Sequence, residues 1–490
     1  MISKIYLLDL ILFLSLMLVN ACSCGKSEGT PYDQNIKVDT SMLYIENDRL
    51  KLGVNLTLGG SITYLSDKAN GGENMINSYD WGRQIQMSYY GGPCPYFGPN
   101  GERPAPEWEG FCWNPIQSGD CGGNRSKIVS YEKRGENAIF VRTIPMLWPF
   151  KSGIAAECLF ECLYTLSGNV ITMEATIVNQ REDKTQYWET DQEMPAVYTN
   201  GPWYKLVTYL GDEPFADKPV TVIVDKNDKK GWPWVHFYTP ENWVALLDDK
   251  GYGIGVFQPD VMRFSGGFHP NDYYKGFGGE KDGQTGYIAP SGKQILDHNI
   301  RWTYKTSLIL GPLDEIRSYV KMNHGQNRNP EWVFANSREY WYYRGIKDSG
   351  FPIEGNLNLQ FEKASSLISP ETFWKTDDVN WLEIEGEFHS ASGKIEITVE
   401  IQPVSKSDFT DWLNWSEGEF SVEEEKKKKA SEFPEKPAIR MTQIINSDGI
   451  ARTYRINLKE MPDYNGSMKN LKLIFSDNGT AKISRIRLVK

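Results

Sequence analysis

From residue 41 onward, apolar and polar positions alternate with a period of two, in runs rich in β-branched and aromatic residues. Gly, Pro, Asn and Asp punctuate the runs. Such alternation predicts strands with one buried face. Residues 41–52 and 54–65 read as strands joined at Gly53, and 138–144, 154–166 and 170–179 read as strands with turn signals between them. Residues 220–224, 243–247, 254–257 and 302–310 continue the pattern. One helix is expected after that, with Pro312 in its first turn, Asp314 and Glu315 behind it, and Ile316, Tyr319 and Val320 as its apolar face. Residues 331–344 suggest a second helix. Gly345, Gly350, Pro352 and Gly355 then mark a boundary. Beyond it, 381–388, 394–401, 439–445, 451–458, 471–475 and 481–489 have the length and spacing of sandwich strands. The charge run 423–429 reads as a solvated loop or hairpin tip.

The N-terminus breaks this pattern. Lys4 precedes a nearly continuous apolar run over 5–19, too short to span a bilayer comfortably, since that takes about 20 residues. The run ends in Leu18-Val19-Asn20-Ala21-Cys22, which resembles a bacterial lipobox. The resemblance implies cleavage after Ala21 and a diacylglycerol on Cys22. The alternative is an ordinary secretory signal that contains a cysteine. Residues 22–40 read as a polar tether. The expected organisation is therefore a signal peptide over 1–21, the tether over 22–40, a catalytic β-domain over 41–345 and a β-sandwich accessory or carbohydrate-binding domain over 346–490. The localisation implied is the cell envelope, lipid-anchored on its periplasmic or outer-surface side.

Composition adds two constraints. Aromatic residues make up 13% of the chain, with 16 Trp and 26 Tyr. Most belong in the core, but an excess this size also suits a surface that stacks on sugar rings. The net charge of −11 argues against nucleic acid, which needs a clustered basic field. Three of the seven cysteines, Cys94, Cys112 and Cys121, lie in one Gly/Pro-rich stretch, where an oxidising compartment allows a disulfide among them. Cys158 and Cys162 lie about 13 Å apart on an extended strand, too far to pair, and read as buried thiols.

Three phrases carry a family resemblance. They are Leu58-Gly-Gly-Ser-Ile-Thr-Tyr-Leu65, with Gly59 and Gly60 at a turn; Asp80-Trp-Gly-Arg-Gln-Ile-Gln86; and Tyr164 to Asn179, which turns through Ser167-Gly168-Asn169. In this order and spacing they resemble the galactose-mutarotase-like superfamily over about residues 41–325. The resemblance implies a mostly β protein, with a large antiparallel β-supersandwich whose concave sheet binds sugar. The smaller C-terminal region would be a jelly-roll-like β-sandwich. That fold hosts epimerases, hydrolases, lyase domains and glycan binders, so the site has to decide the function.

Glu189, Asp191 and Glu193 are the leading catalytic candidates. On a strand, alternate residues share a face, and carboxylates crowded on one face have their pKa values pushed apart, as an acid–base pair requires. The alternative is a charged, solvent-facing strand edge. Arg83 occupies the place of a sugar-binding arginine in the family; otherwise it pairs with Asp80. Gln86 and Tyr90 lie close by in sequence. Trp113 falls in a long aromatic loop, 91–124, expected at the mouth of the sheet, where it contacts sugar or simply packs. His236, and His269 with Tyr273 and Tyr274 in a loop over 265–287, supply bases for a lyase, with Arg83 as neutraliser of a uronate. The leading reading is a glycoside hydrolase acting on an oligo- or polysaccharide. A polysaccharide lyase and a non-catalytic surface glycan-binding lipoprotein are the alternatives. The hydrolase reading requires no cofactor or metal and is compatible with a bound divalent cation.

Overall fold

The computed structural model describes residues 41–225, 235–269, 278–279, 281–325, 329–409 and 435–490. The expected signal peptide, Cys22 and the expected tether, Tyr273 and Tyr274, and the 423–429 charge run lie outside the described residues. Among those described, no helix is long and apolar enough to cross a membrane.

Two antiparallel sheets pack face to face over the first three hundred residues. The first has ten strands. Its main path runs Met42–Glu46, Leu50–Asn55, Ser61–Asp67, Ile85–Ser88, Thr190–Asn200, Thr285–Gln294, Arg263–His269 and Val235–Tyr238. The second has nine, with Arg301–Pro312, Val170–Asn179 and Cys158–Ser167 at its centre. Alternate residues of each meet in one core. Ile62, Met87, Met194, Val197 and Ile288 come from the first sheet, and Phe160, Tyr164, Met173 and Leu308 from the second. The helix Leu313–Asn323 lays Ile316 and Val320 on the outer side of the second sheet, against Trp243, Leu247 and Ile309. This covers the part of the second sheet formed by Trp243–Leu247, Tyr252–Phe257 and Arg301–Pro312 on both sides. The first sheet keeps a polar outer face.

The expected hairpin turn at Gly59-Gly60 is present, with φ of 59° and 76° that only glycine adopts freely. Gly53 instead lies inside a strand, and the chain turns at 47–49. A Cβ at Gly53 would come within 2.8 Å of Met42, Tyr44 and Tyr64 side chains, so the glycine is there for close approach. The expected loop over 265–287 is narrower, because Arg263–His269 and Thr285–Gln294 are paired strands.

Residues 331–344 are not a helix. Phe334, Glu339 and Tyr340 all have positive φ, and Glu331–Trp332 and Tyr342–Asp348 are strands. Both belong to the third sheet, so sheet membership changes before the expected boundary at 345. That sheet also has nine strands. Expected strands 381–388 and 394–401 are one bent strand, Trp381–Pro403, 23 residues long. Its first part pairs with Arg452–Asn457 and Gly479–Val489, its second with Ile439–Asp448 and Ser467–Phe475. Leu357–Ile368 pairs with both Ser467–Phe475 and Gly479–Val489, which closes the circuit around a second core. Cys94 and Cys112 form a disulfide, while Cys121, Cys158 and Cys162 are free thiols, the last two buried.

Candidate functional site

The polar outer face of the first sheet centres on the strand Thr190–Asn200. Thr190, Gln192 and Met194 point inward and are buried, so Glu189, Asp191 and Glu193 project to the other side. The register with both neighbouring strands slips between Glu193 and Val197. Pro195 lies in that stretch and cannot donate to the ladder. The bulge changes the parity, so that Ala196 and Tyr198 share the outer face with Tyr287 and Ala289.

Neighbouring strands supply the surroundings. Glu193 pairs across with Ser88 on one side and Ser291 on the other. Its carboxylate accepts from Tyr90 Oη at 3.2 Å and from Tyr287 Oη. Burial pushes its pKa up, with the Ser88, Tyr287 and Tyr90 hydroxyls working against that rise. Asp191 receives Arg263 Nη1 at 2.7 Å on Oδ2. Burial alone would raise Asp191, but the charges of Arg263 and Lys293, joined by His236 once it protonates at acidic pH, outweigh it and hold the carboxyl below its usual range. Its Oδ1 has no hydrogen-bond partner among the described residues. Two carboxylates on one strand face therefore occupy opposite environments.

His236 lies across from Ser265, one strand beyond Arg263. Burial, helped by the Arg263 charge and opposed by Asp191, lowers its pKa to about 4, so the ring is neutral near neutral pH. Its Nδ1 has no hydrogen-bond partner among the described residues. Tyr90, Tyr198 and Tyr287 are all raised, first by burial and then by the Glu193 charge. They remain hydroxyl donors.

The other sequence candidates divide. Both Glu189 oxygens are taken by Arg344, at 2.8 and 2.6 Å, from the strand Tyr342–Asp348 of the third sheet. That bidentate pair ties the two regions together and sets Glu189 apart from the acid–base pair. Gln86 is on the correct face but fully buried. It donates to the Trp81 and Arg83 carbonyls and accepts from Ser118, so it holds a loop and does not face a ligand. Trp113 is also fully buried, with the Arg181 guanidinium 4.8 Å from its ring centroid, which is the packing role. Arg83 pairs with Asp80 at 3.1 Å and donates to the Gly283 carbonyl. These two remain at the edge of the face, where their charges act on Tyr198. His269 shares the face, two residues beyond Gly267, the cross-strand partner of Tyr287. Among the described residues, no three His, Cys, Asp or Glu side chains converge as metal ligands.

Sequence reasoning did not single out Arg263, Lys293, Tyr287 or Ser88. Their signal was the period-two alternation of strands 85–88, 263–269 and 285–294, which places them outward. The pairing that brings them to Glu193 is not written in any local pattern.

No family profile matches the chain, and no curated protein is similar to it in sequence. Solved structures do align with it. A putative aldose 1-epimerase from Escherichia coli K12 aligns at 13% identity and a TM-score of 0.36, over 56% of this chain and 99% of the other. A galactose mutarotase-like protein from Lactobacillus casei aligns at 13% and 0.35, over 55% and 99%. An alpha-galactosidase from Lactobacillus brevis aligns at 10% and 0.35, over 61% and 45%.

Proposed function

We propose that this face acts on carbohydrate, and that the protein is a glycoside hydrolase in which Glu193 is the general acid and Asp191 the ionised partner. The observation that carries the reading is the contrast between the two carboxylates. Partly buried Glu193, among hydroxyls and without a cation partner among the described residues, has its pKa raised toward the protonated form. Asp191, two residues along the same face, is held ionised by Arg263 with one oxygen unengaged. Glycoside hydrolysis needs such a division of labour. Alternate strand residues are about 7 Å apart at Cα, compatible with the separations such carboxylate pairs use, roughly 5 to 10 Å. A lyase using a tyrosinate base fits less well, because the tyrosines here are pushed away from ionisation.

The test is release of new reducing ends from a panel of neutral oligosaccharides. Glu193→Gln and Asp191→Asn should each lower kcat by about a hundredfold or more. Full activity in both variants sinks the assignment. Absence of reducing ends with any substrate, or absorbance from an unsaturated product, sinks the hydrolase class. We further propose that Cys22 carries a lipid that holds the enzyme at the cell envelope, with polysaccharide as its partner there. Cys22→Ser should then move the protein out of the membrane fraction.

A further inference from the structure

We infer that four partly buried rings that keep some surface open, Tyr90, Phe111, Trp108 and Trp148, form a stacking track for successive sugar units, so the substrate is a neutral glycan chain bound across several subsites. The inference rests on the carbohydrate reading above and specifies its substrate class. The track begins at the catalytic group itself, since Tyr90 donates to Glu193. The Tyr90 ring is 6.0 Å from Phe111, Phe111 is 5.2 Å from Trp108, and Trp108 is 5.7 Å from Trp148, each pair edge to face. None of the four is fully buried. A core cluster would bury them fully, whereas these rings keep part of their area open to a ligand.

The end of the track is also built. A Cβ at Gly82 would come within 2.8 Å of the Trp148 ring and 3.4 Å of Asp80 Oδ1. Glycine there lets the indole lie beside the Asp80–Arg83 pair, a carboxylate and a guanidinium placed to bridge sugar hydroxyls. Tyr79, half exposed, lies 5.0 Å from the Arg83 guanidinium. The backbone under the rings is fixed by Tyr96 N to Phe111 O, Phe111 N to Trp108 O and Trp148 N to Asn114 O, and by the Cys94–Cys112 disulfide. A preformed platform loses little entropy on binding. Nearby charges are matched: Asp80 with Arg83, Glu107 with Lys151, Glu109 with Arg103. Matched charges favour a neutral chain over a polyanionic one.

The experiment is calorimetric titration of full-length protein carrying Glu193→Gln with gluco-, manno-, galacto- and xylo-oligosaccharides of one to six units. At least one series should bind more tightly as the chain lengthens. Trp108→Ala and Trp148→Ala should each weaken the longest ligand about tenfold and leave the shortest unchanged, with Trp108→Phe retaining most of the affinity. Circular dichroism of each variant excludes loss of fold as the cause. Affinity independent of chain length, no effect of either alanine variant, or no binding in any series overturns the track. The two readings fail separately. Ring variants that lose long-chain binding in a protein that never releases product leave the track standing and remove the hydrolase. Normal Trp108→Ala binding alongside an inactive Glu193→Gln does the reverse.

Discussion

Arg263→Met is the most informative single perturbation, because it removes the group that sets Asp191 apart from Glu193. The guanidinium lies 2.7 Å from Asp191 Oδ2, and the two side chains are only 22% and 29% exposed, so solvent screens the pair weakly. A neighbouring arginine lowers a carboxyl by about 1 to 3 units. Lys293 remains in the variant and keeps part of the effect, so the carboxyl rises without reaching the level that burial alone would set. The direction is fixed. A carboxyl held below its usual range is ionised through the working range of the wild type. Released from Arg263, it protonates as the pH falls at a point where the wild type is still ionised. The acidic limb of kcat/KM therefore moves to higher pH, while activity near pH 8 changes far less. His236 rises in the same direction, since Arg263 holds it down. Repeating the profile in an Arg263→Met, His236→Gln double variant isolates Asp191. Arg263→Lys keeps the charge and should keep most of the wild-type limb. Initial rates of reducing-end release across the pH range are the assay. An acidic limb that stays put in an active Arg263→Met enzyme would refute the assignment of Asp191 as the ionised partner.

Two stability predictions come from buried groups elsewhere. Arg338 is almost wholly enclosed and pairs with Asp297 at 2.6 Å and Asp348 at 2.6 Å, both buried. Arg338→Met should cost about 3 to 5 kcal/mol, measured by urea unfolding near neutral pH. Burial would raise Asp348, but Arg338 outweighs it and lowers the pKa. That contribution is present above the ordinary carboxyl range and lost as the pH falls through the folded value. The deficit of the variant should therefore shrink on acidification, and a deficit that grows instead counts against the account. Replacing Cys94 and Cys112 by serine opens a cross-link spanning 18 residues and should cost about 3 kcal/mol. It should also loosen the ring platform next to it, read as faster proteolysis within 91–124.

The architecture was legible wherever a strand is buried on one face only. The turn at Gly59-Gly60 came with the family resemblance, since the pattern alone ran a strand through 54–65; the strand pair expected over 154–166 and 170–179, observed over 158–167 and 170–179, and the helix 313–323 followed from period and punctuation. So did the shared face of Glu189, Asp191 and Glu193, because a strand's period is two. What was not legible is what each carboxylate meets there. Arg263 lies 72 residues from Asp191, Tyr287 lies 94 from Glu193, and Arg344 lies 155 from Glu189. Sheet pairing brings them together, and no local pattern encodes it. The stretch 331–344 misled for a different reason. Its aromatic and charged residues lack an internal Gly or Pro, but the positive φ at Phe334, Glu339 and Tyr340 breaks the helix from within. Trp113 and Gln86 had the right residue types and neighbourhood and were wrong only in burial, which depends on what the rest of the chain lays over them.

The C-terminal sheet is better understood as a wall of the site than as a module joined to it. Ile295, from the end of a first-sheet strand, is counted in the second core. Arg338 binds Asp297 on one side of the junction and Asp348 on the other, and Gln186 reaches toward both. Nearer the chemistry, Arg344 clamps Glu189, and the Lys469 ammonium lies 5.5 Å from the Tyr238 ring. The Glu371 charge acts on both Arg263 and Tyr238. The arginine that sets Asp191 is therefore faced by a carboxylate from the second region. A chain cut near residue 330 would expose an apolar edge, unpair Asp297 and Glu189, and remove Glu371 from Arg263. Such a fragment keeps Arg263 beside Asp191 and should keep the split between the two carboxylates, while losing stability at the junction. The two regions thus depend on one another for packing and for the ion pairs that cross the junction.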